Sequence, residues 1–193
     1  KTVLINSKGG ENNVADLFIP LNFNDSKYDN YKADWMFMKL TFKAKMFSGE
    51  KPIVGVLRGN NTGDVVDGTA SEKGYVNNGM GDYVQEFDEG GTDTRITAST
   101  FNEETGEYEV VLRIRGNAWW YRLPNGNTSA ITIGNLEYNG NWHDAYDSTM
   151  SFAFSDPHLY FMDENATDIL YEQDGVTPAE YDLPPLTANY IDL

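Results

Sequence analysis

The sequence predicts an all-β protein, a β-sandwich of the jelly-roll type with about ten antiparallel strands. Every second residue from Met36 to Met46 in WMFMKLTFKAKMF, residues 35–47, is apolar, and this period of two is typical of a long strand with one buried face. The same alternation recurs in GEYEVVLRIRG, residues 106–116. Clusters of Gly, Asn and Asp separate shorter apolar runs, and this spacing of turn residues is typical of sandwiches and barrels.

Each strand is assigned from its own pattern. In the first long segment the residues expected to share the buried face are Met36, Met38, Leu40, Phe42, Ala44 and Met46. Trp35 precedes them, and we interpret it as a packing residue. Shorter strands are predicted at residues 2–6, 17–23, 52–58, 83–87, 94–100, 130–138, 151–155 and 158–163. Gly134-Asn135 interrupts the alternation of its strand, which indicates a bulge.

The C-terminal residues lack this periodicity. Residues 177–193, TPAEYDLPPLTANYIDL, are rich in proline and show no strand or helix pattern. We therefore predict a sandwich domain over residues 1–176 and an extended tail or linker over residues 177–193. Such a tail would suit one module of a larger, multimodular protein, and we expect the module to be a monomer.

Composition excludes several classes of function. The 193 residues carry a formal net charge of −16, which disfavours nucleic acid and anionic membranes as partners. There is no cysteine, so zinc–thiolate sites and thiol nucleophiles are excluded. An acidic strand-rich chain without disulfides favours a bacterial, extracellular protein. No apolar run reaches the roughly 18 residues of a membrane-spanning helix.

Catalysis is not marked by any motif. His143 and His158 have no G-x-S-x-G elbow beside them, and we interpret both as surface or turn histidines. Glu86, Glu109 and Glu137 lie on predicted strands, where two of them could form the carboxylate pair of a glycosidase. Beside Arg113 and Arg115 on the same predicted face, Glu109 is more simply an ion-pair partner. We therefore predict a non-catalytic protein, with a jelly-roll glycoside hydrolase or lyase as the alternative.

The most informative segment is RIRGNAWWYRLPNGN, residues 113–127, because neighbouring side chains on an extended chain point to opposite faces. The three consecutive rings therefore cannot all enter one core. Flat aromatic rings in contact with water can stack on the apolar faces of sugars, while polar side chains bind the hydroxyls. The candidate carbohydrate-binding residues are Trp119, Trp120, Tyr121, Trp142 and Tyr146, with Arg113 and Arg115 as hydrogen-bond donors.

Four segments, WMFMKLTFKAKMFSG, GEYEVVLRIRG, ITIGNLEY and FSDPHLYFMD, occur in an order similar to that of a known family. The chain resembles the β-sandwich carbohydrate-binding modules of secreted bacterial systems that degrade plant polysaccharides, including cellulosomes. The resemblance implies non-catalytic binding of a polysaccharide such as cellulose or a hemicellulose, with exposed aromatic residues as the platform. It also implies a structural Ca²⁺.

Two further expectations remain. No EF-hand loop is present, so a calcium site would need oxygen atoms from separate loops, and Asp163 in MDEN is the candidate ligand. The exposed rings could instead contact a protein partner, in which case the chain would be an adhesion or structural module of a bacterial surface protein.

Overall fold

The computed structural model describes residues 2–7, 17–49, 51–58, 95–114, 116, 129–134 and 150–185. Their strands are β1 (Thr2–Ser7), β2 (Leu17–Leu21), β3 (Met36–Ser48), β4 (Ile53–Arg58), β5 (Arg95–Phe101), β6 (Glu107–Ile114), β7 (Ser129–Gly134) and β8 (Met150–Phe161). A single 3₁₀ turn, Ser26–Tyr28, is the only helical element in these ranges, so the all-β prediction is confirmed. No described helix has the length and apolarity needed to cross a bilayer. The strand predicted at residues 83–87 lies outside the described ranges.

The strands form two antiparallel sheets. The larger sheet has five strands in the order β1-β8-β3-β6-β5, and the smaller has three in the order β2-β7-β4. β3 is central, because it pairs with β6 along one edge and with β8 along the other. Buried side chains of both sheets, such as Ile19, Ile133 and Leu40, belong to one hydrophobic cluster.

The alternation predicted for β3 and β6 is confirmed. Residues Met36 to Ala44 alternate between buried and less buried side chains, and the even-numbered ones are 5% exposed or less. In β6 the buried residues are Tyr108, Val110, Leu112 and Ile114. The side chains between them lie on the opposite face of the five-stranded sheet, which we call the outer face. This face carries the polar and charged residues of both strands.

β8 joins two segments that the sequence assigned to separate strands, residues 151–155 and 158–163. Asp156 and Pro157 lie together opposite Phe42, because Thr41 pairs with His158 whereas Lys43 pairs with Ser155. Two residues facing one define a bulge, where a proline without an N–H is tolerated. Asp156 has a φ of 54°, the left-handed conformation that aspartate adopts more readily than most residues. The strand therefore continues through a sequence that reads as a break.

Residues 162–185, here called the C-terminal segment, fold back onto β8. The backbone N–H of Tyr181 donates to the Leu159 carbonyl at 2.8 Å, and the Phe161 N–H donates to the Ala179 carbonyl at 2.9 Å. Ala179 and Tyr181 are buried, at 1% and 7% exposure, although the sequence placed both in the tail. The core therefore includes residues beyond the expected boundary at residue 176. A segment without strand periodicity can still be ordered when it packs against a sheet.

An aromatic cluster holds this part of the chain in place. The Tyr181 ring stacks on Tyr28 with centroids 5.2 Å apart, and its edge meets Phe23 at the same centroid distance. The Tyr181 hydroxyl accepts a hydrogen bond from the Asn22 N–H at 3.0 Å. In return, the Asp182 N–H donates to the Tyr28 hydroxyl at 3.0 Å. The 3₁₀ turn and the C-terminal segment therefore fix one another, although they are more than 150 residues apart in sequence.

Candidate functional site

Most of the aromatic residues predicted to bind carbohydrate lie outside the described residues. These are Trp119, Trp120, Tyr121, Trp142 and Tyr146, together with Arg115. Arg113 and Asp163 are described, and each has a defined environment. The site is therefore built from Arg113 and from the sheet surface that carries it.

Arg113 lies near the end of β6 on the outer face, directly opposite Phe37 of β3. Its guanidinium carbon is 4.3 Å from the centroid of the Trp35 ring. Both side chains are half-buried. A guanidinium over an indole face is a favourable cation–π arrangement. The outer face therefore ends in an ordered pair of one aromatic ring and one fork of hydrogen-bond donors.

Trp35 is the functional candidate that the sequence interpretation missed. The sequence predicts a packing residue here, whereas Trp35 is half-buried, is not one of the buried core residues, and stacks with Arg113 on the outer face. The signal was present in the alternation, since Trp35 has the same parity as Phe37 and Lys39, whose side chains lie on that face. The position of Trp35 in the alternation predicts the outer face, whereas the general preference of tryptophan for burial predicts the core.

The outer face also contains a groove with a volume of about 630 Å³. Its polar walls come from four strands and the β5–β6 turn, and they include Thr41, Lys43, Asn102, Glu107, Glu109 and Asp156. A smaller cavity of about 200 Å³ shares Thr100 and Glu109 with this groove. Its far wall is formed by Ala166 and Thr167 of the C-terminal segment. The two cavities thus adjoin each other along the surface of the sheet.

Glu109 lies where the two cavities meet. Its Oε1 atom is 2.8 Å from Nζ of Lys39, and this pair is partly exposed to solvent. Glu109 is thus an ion-pair partner, as the simpler interpretation predicts, but its partner is Lys39 on the neighbouring strand. Glu86 and Glu137 lie outside the described residues, so a catalytic carboxylate pair remains a prediction.

His158 lies on the outer face beside the groove, directly opposite Thr41. Its Nδ1 is 2.6 Å from Oε1 of Glu180, and its Nε2 is 3.2 Å from Oδ1 of Asp156. Burial lowers the pKa of His158, but the hydrogen bonds and charges of Glu180 and Asp156 outweigh this effect and raise the pKa overall. With both ring nitrogens engaged by carboxylates, the imidazole is not arranged as a general base.

Asp163 closes a turn at the start of the C-terminal segment. Its Oδ1 atom accepts a hydrogen bond from the Thr167 N–H at 2.7 Å, and its own N–H donates to the Asp168 carbonyl at 2.9 Å. Within the described ranges, no group of three or more His, Asp or Glu residues is arranged to hold a metal ion. These residues do not assemble a calcium site around Asp163, and the bound Ca²⁺ stays a prediction.

Comparisons with known sequences and structures find no relative of the chain. No family model matches the chain, and neither a curated protein nor a solved structure matches it. The outer face, with the stacked Trp35–Arg113 pair at one end and the polar groove further along the strands, is therefore the basis on which a function is inferred.

Proposed function

We propose that this protein is a non-catalytic module that binds a neutral plant cell-wall polysaccharide, a β-glucan or a hemicellulose, along the outer face of the five-stranded sheet. In this proposal the two sheets pack as a jelly-roll sandwich, so that the outer face is the open face of the larger sheet. The module would belong to a larger secreted bacterial protein, as the family resemblance implies.

The observation that carries the proposal is the stacking of Arg113 on Trp35 at one end of the outer face, which has a polar groove further along the same strands. A sugar ring needs an apolar surface for its C–H face and fixed polar groups for its hydroxyls. The half-buried indole supplies the first and the guanidinium the second, while the Thr41, Asn102 and Glu107 side chains offer further polar groups to sugar units that lie further along the face. An arginine held by stacking also loses little conformational freedom when a ligand binds.

Chain connectivity supports the same location. Trp119 follows Ile114, the last residue of β6, by five positions, and five extended residues reach at most about 18 Å. Chain length therefore allows the predicted Trp119–Tyr121 rings to reach the end of the strand that carries Arg113. We expect them to extend the platform that Trp35 begins.

The groove favours a neutral ligand over an anionic one. Its walls include the carboxylates of Glu107, Glu109 and Asp156, and the whole chain carries a net charge of −16. A uronic-acid polymer such as pectin would be repelled, whereas uncharged hydroxyls can donate to these oxygen atoms. With about 1 kcal/mol from each stacked sugar ring, we expect affinities in the micromolar to millimolar range.

Affinity electrophoresis tests the proposal. The chain migrates through native gels that contain soluble cellulose derivative, xylan, xyloglucan, mannan or pectin, and we expect retardation in at least one neutral polymer and none in pectin. Trp35→Ala, Trp119→Ala and Trp120→Ala should each weaken retardation by about fivefold, the equivalent of roughly 1 kcal/mol. Phe47→Ala is the matched control, because Phe47 is 58% exposed on β3 but lies roughly 40 Å of strand away from Trp35.

Three outcomes would contradict the proposal. Retardation that survives all three tryptophan substitutions would remove the aromatic platform. Unaltered migration in every gel would favour the adhesion module, whose partner is a protein. Steady release of reducing sugar that Glu109→Gln or Glu137→Gln abolishes would identify a glycoside hydrolase, and a lyase would instead release unsaturated products.

A further inference from the structure

Two carboxylates from different parts of the chain converge on the imidazole of His158. Asp156 belongs to the bulge of β8, two residues before the histidine, whereas Glu180 belongs to the C-terminal segment. The distance from Nδ1 to Oε1 of Glu180 is 2.6 Å, and that from Nε2 to Oδ1 of Asp156 is 3.2 Å. Both contacts are within hydrogen-bonding range, and the shorter one is typical of a charge-assisted bond.

The hydrogen-bonding capacity of the two carboxylates determines the protonation state of the His158 imidazole. An ionised carboxylate has no hydrogen to donate, so each of the two ring nitrogens must supply one. A neutral imidazole has a single N–H, and only the imidazolium ion has two. His158 is therefore positively charged whenever both contacts are made, which agrees with the raised pKa described above.

The geometry points to a function for this charge: we propose that protonated His158 is a pH-dependent latch that fastens the C-terminal segment to β8. Glu180 lies between Ala179 and Tyr181, whose backbone groups bond to Phe161 and Leu159 of β8. The histidine adds a side-chain contact at the centre of this short backbone connection. When it loses its proton, one nitrogen can no longer donate, and both carboxylates lose the neighbouring positive charge.

Among the residues that the structure describes, the other groups around His158 do not replace that charge for Glu180. On β8, the Tyr160 ring lies nearly parallel to the imidazole at 5.6 Å. On β3, Thr41 is uncharged, Lys43 Nζ is 3.9 Å from Oδ2 of Asp156, and Lys39 is paired with Glu109 of β6. Asp156 thus keeps a nearby cation after deprotonation. The weakened contact is therefore expected to be the one with Glu180, on the side of the C-terminal segment.

The direction of the pH effect follows from linkage. The pKa of His158 is higher in the folded chain than the ordinary value of about 6.5 in the unfolded chain. The latch therefore contributes its full stabilisation below about pH 6.5 and loses it as the pH rises through the folded value. The pKa of the Tyr181 hydroxyl is raised above its ordinary value by burial, so this second anchor of the segment does not titrate in the same range. We expect the segment to loosen around Glu180 while Tyr181 stays packed.

An NMR pH titration of the histidine ring protons tests directly whether His158 is charged. The chain has two histidines, so their ring C–H signals can be assigned with His143→Gln and followed by NMR from pH 5 to 9. We expect the His158 midpoint to lie above 6.5 and to fall in Glu180→Gln and in Asp156→Asn. A midpoint at or below 6.5 in the unsubstituted chain would overturn the proposal, whether or not the variants fold.

Amide hydrogen exchange tests whether the charge on His158 stabilises the backbone contacts between the C-terminal segment and β8. Above the His158 midpoint, the protection factors of the Phe161 and Tyr181 amides, whose hydrogen bonds join the segment to β8, should fall by about two- to fivefold, the range for a partly exposed ion pair. The Ala44 amide, bonded to the Gly106 carbonyl at 2.8 Å, is the internal reference. In His158→Gln the pH-dependent fall should vanish, and in His143→Gln it should remain. Equal pH dependence in both variants would show that His158 does not fasten the segment. Both experiments are done without polysaccharide, so their results test the latch independently of polysaccharide binding.

Discussion

β3 and the C-terminal segment both contribute to the core, but they are ordered in different ways. β3 is paired along both edges over most of its length, and its buried side chains alternate with outer-face ones. Within the described ranges, the C-terminal segment forms isolated bridges, Tyr160–Glu180, Met162–Ile169 and Tyr171–Pro178. Its order depends on a few anchors, chiefly Tyr181, the His158–Glu180 contact and two tight turns. A strand paired along its whole length can be predicted from its own sequence pattern. The conformation of a segment held by a few contacts depends instead on residues that are distant in sequence.

The largest effect is expected from breaking β3. The Phe42 ring is 2% exposed and lies between Tyr108 and Phe154, with centroids 4.9 Å away from each. Phe42→Ala should lower the free energy of unfolding by about 3–5 kcal/mol, because it removes packing and leaves a cavity. Urea denaturation followed by fluorescence measures this change. Phe47→Ala, the same substitution at an exposed position of the same strand, should cost less than about 1 kcal/mol. Similar losses in both variants would contradict the burial pattern of β3.

An intermediate effect is expected from removing one anchor of the C-terminal segment. Tyr181→Phe keeps the ring in the aromatic cluster but deletes the oxygen that accepts the Asn22 N–H. We expect a loss of about 1 kcal/mol in the free energy of unfolding, measured by the same denaturation. Tyr171→Phe is the control, since Tyr171 is 49% exposed and its change should stay within about 0.5 kcal/mol. If Tyr181→Phe were as harmless as Tyr171→Phe, the segment would depend on packing alone.

The smallest effect is expected in the turn around Asp174. Its carboxylate accepts hydrogen bonds from the Thr177 hydroxyl and from the N–H groups of Val176 and Thr177, and these bonds lower its pKa below the usual 3.8. The stabilisation is therefore present above pH 3.8 and is lost as the pH falls through the folded value. Asp174→Asn should lower Tm slightly at pH 7, and its melting curve should approach that of the unsubstituted chain near pH 2.

The neighbouring turn supplies the control for this titration. In that turn the backbone carbonyl of Asp168 accepts the Asp163 N–H, so Asp168→Asn leaves this bond in place. Asp168→Asn should therefore shift Tm less than Asp174→Asn at pH 7. Tm differences that stay constant from pH 2 to pH 7 would show that the Asp174 charge does not support the turn.

The predictability of each region follows from the range of its interactions. The faces of β3 and β6 could be predicted because alternation is a local property of the chain. The continuity of β8 could not, since Asp156-Pro157 resembles a break until Phe42 is placed opposite it. The candidate site was predicted in part: Arg113 is on the outer face as the alternation required, but its stacking partner Trp35 lies 78 positions away in sequence. No local pattern contains that pairing.

The sequence by itself determined the all-β class, the acidic charge, the absence of thiol chemistry and the faces of the two long strands. Each of these follows from composition or from the period of two in an extended chain. Only the tertiary structure decided that β3 lies between β6 and β8, that Trp35 meets Arg113, and that Tyr181 is buried against Tyr28. Those contacts join residues distant in sequence, and their free energy is gained only when the whole chain has folded around them.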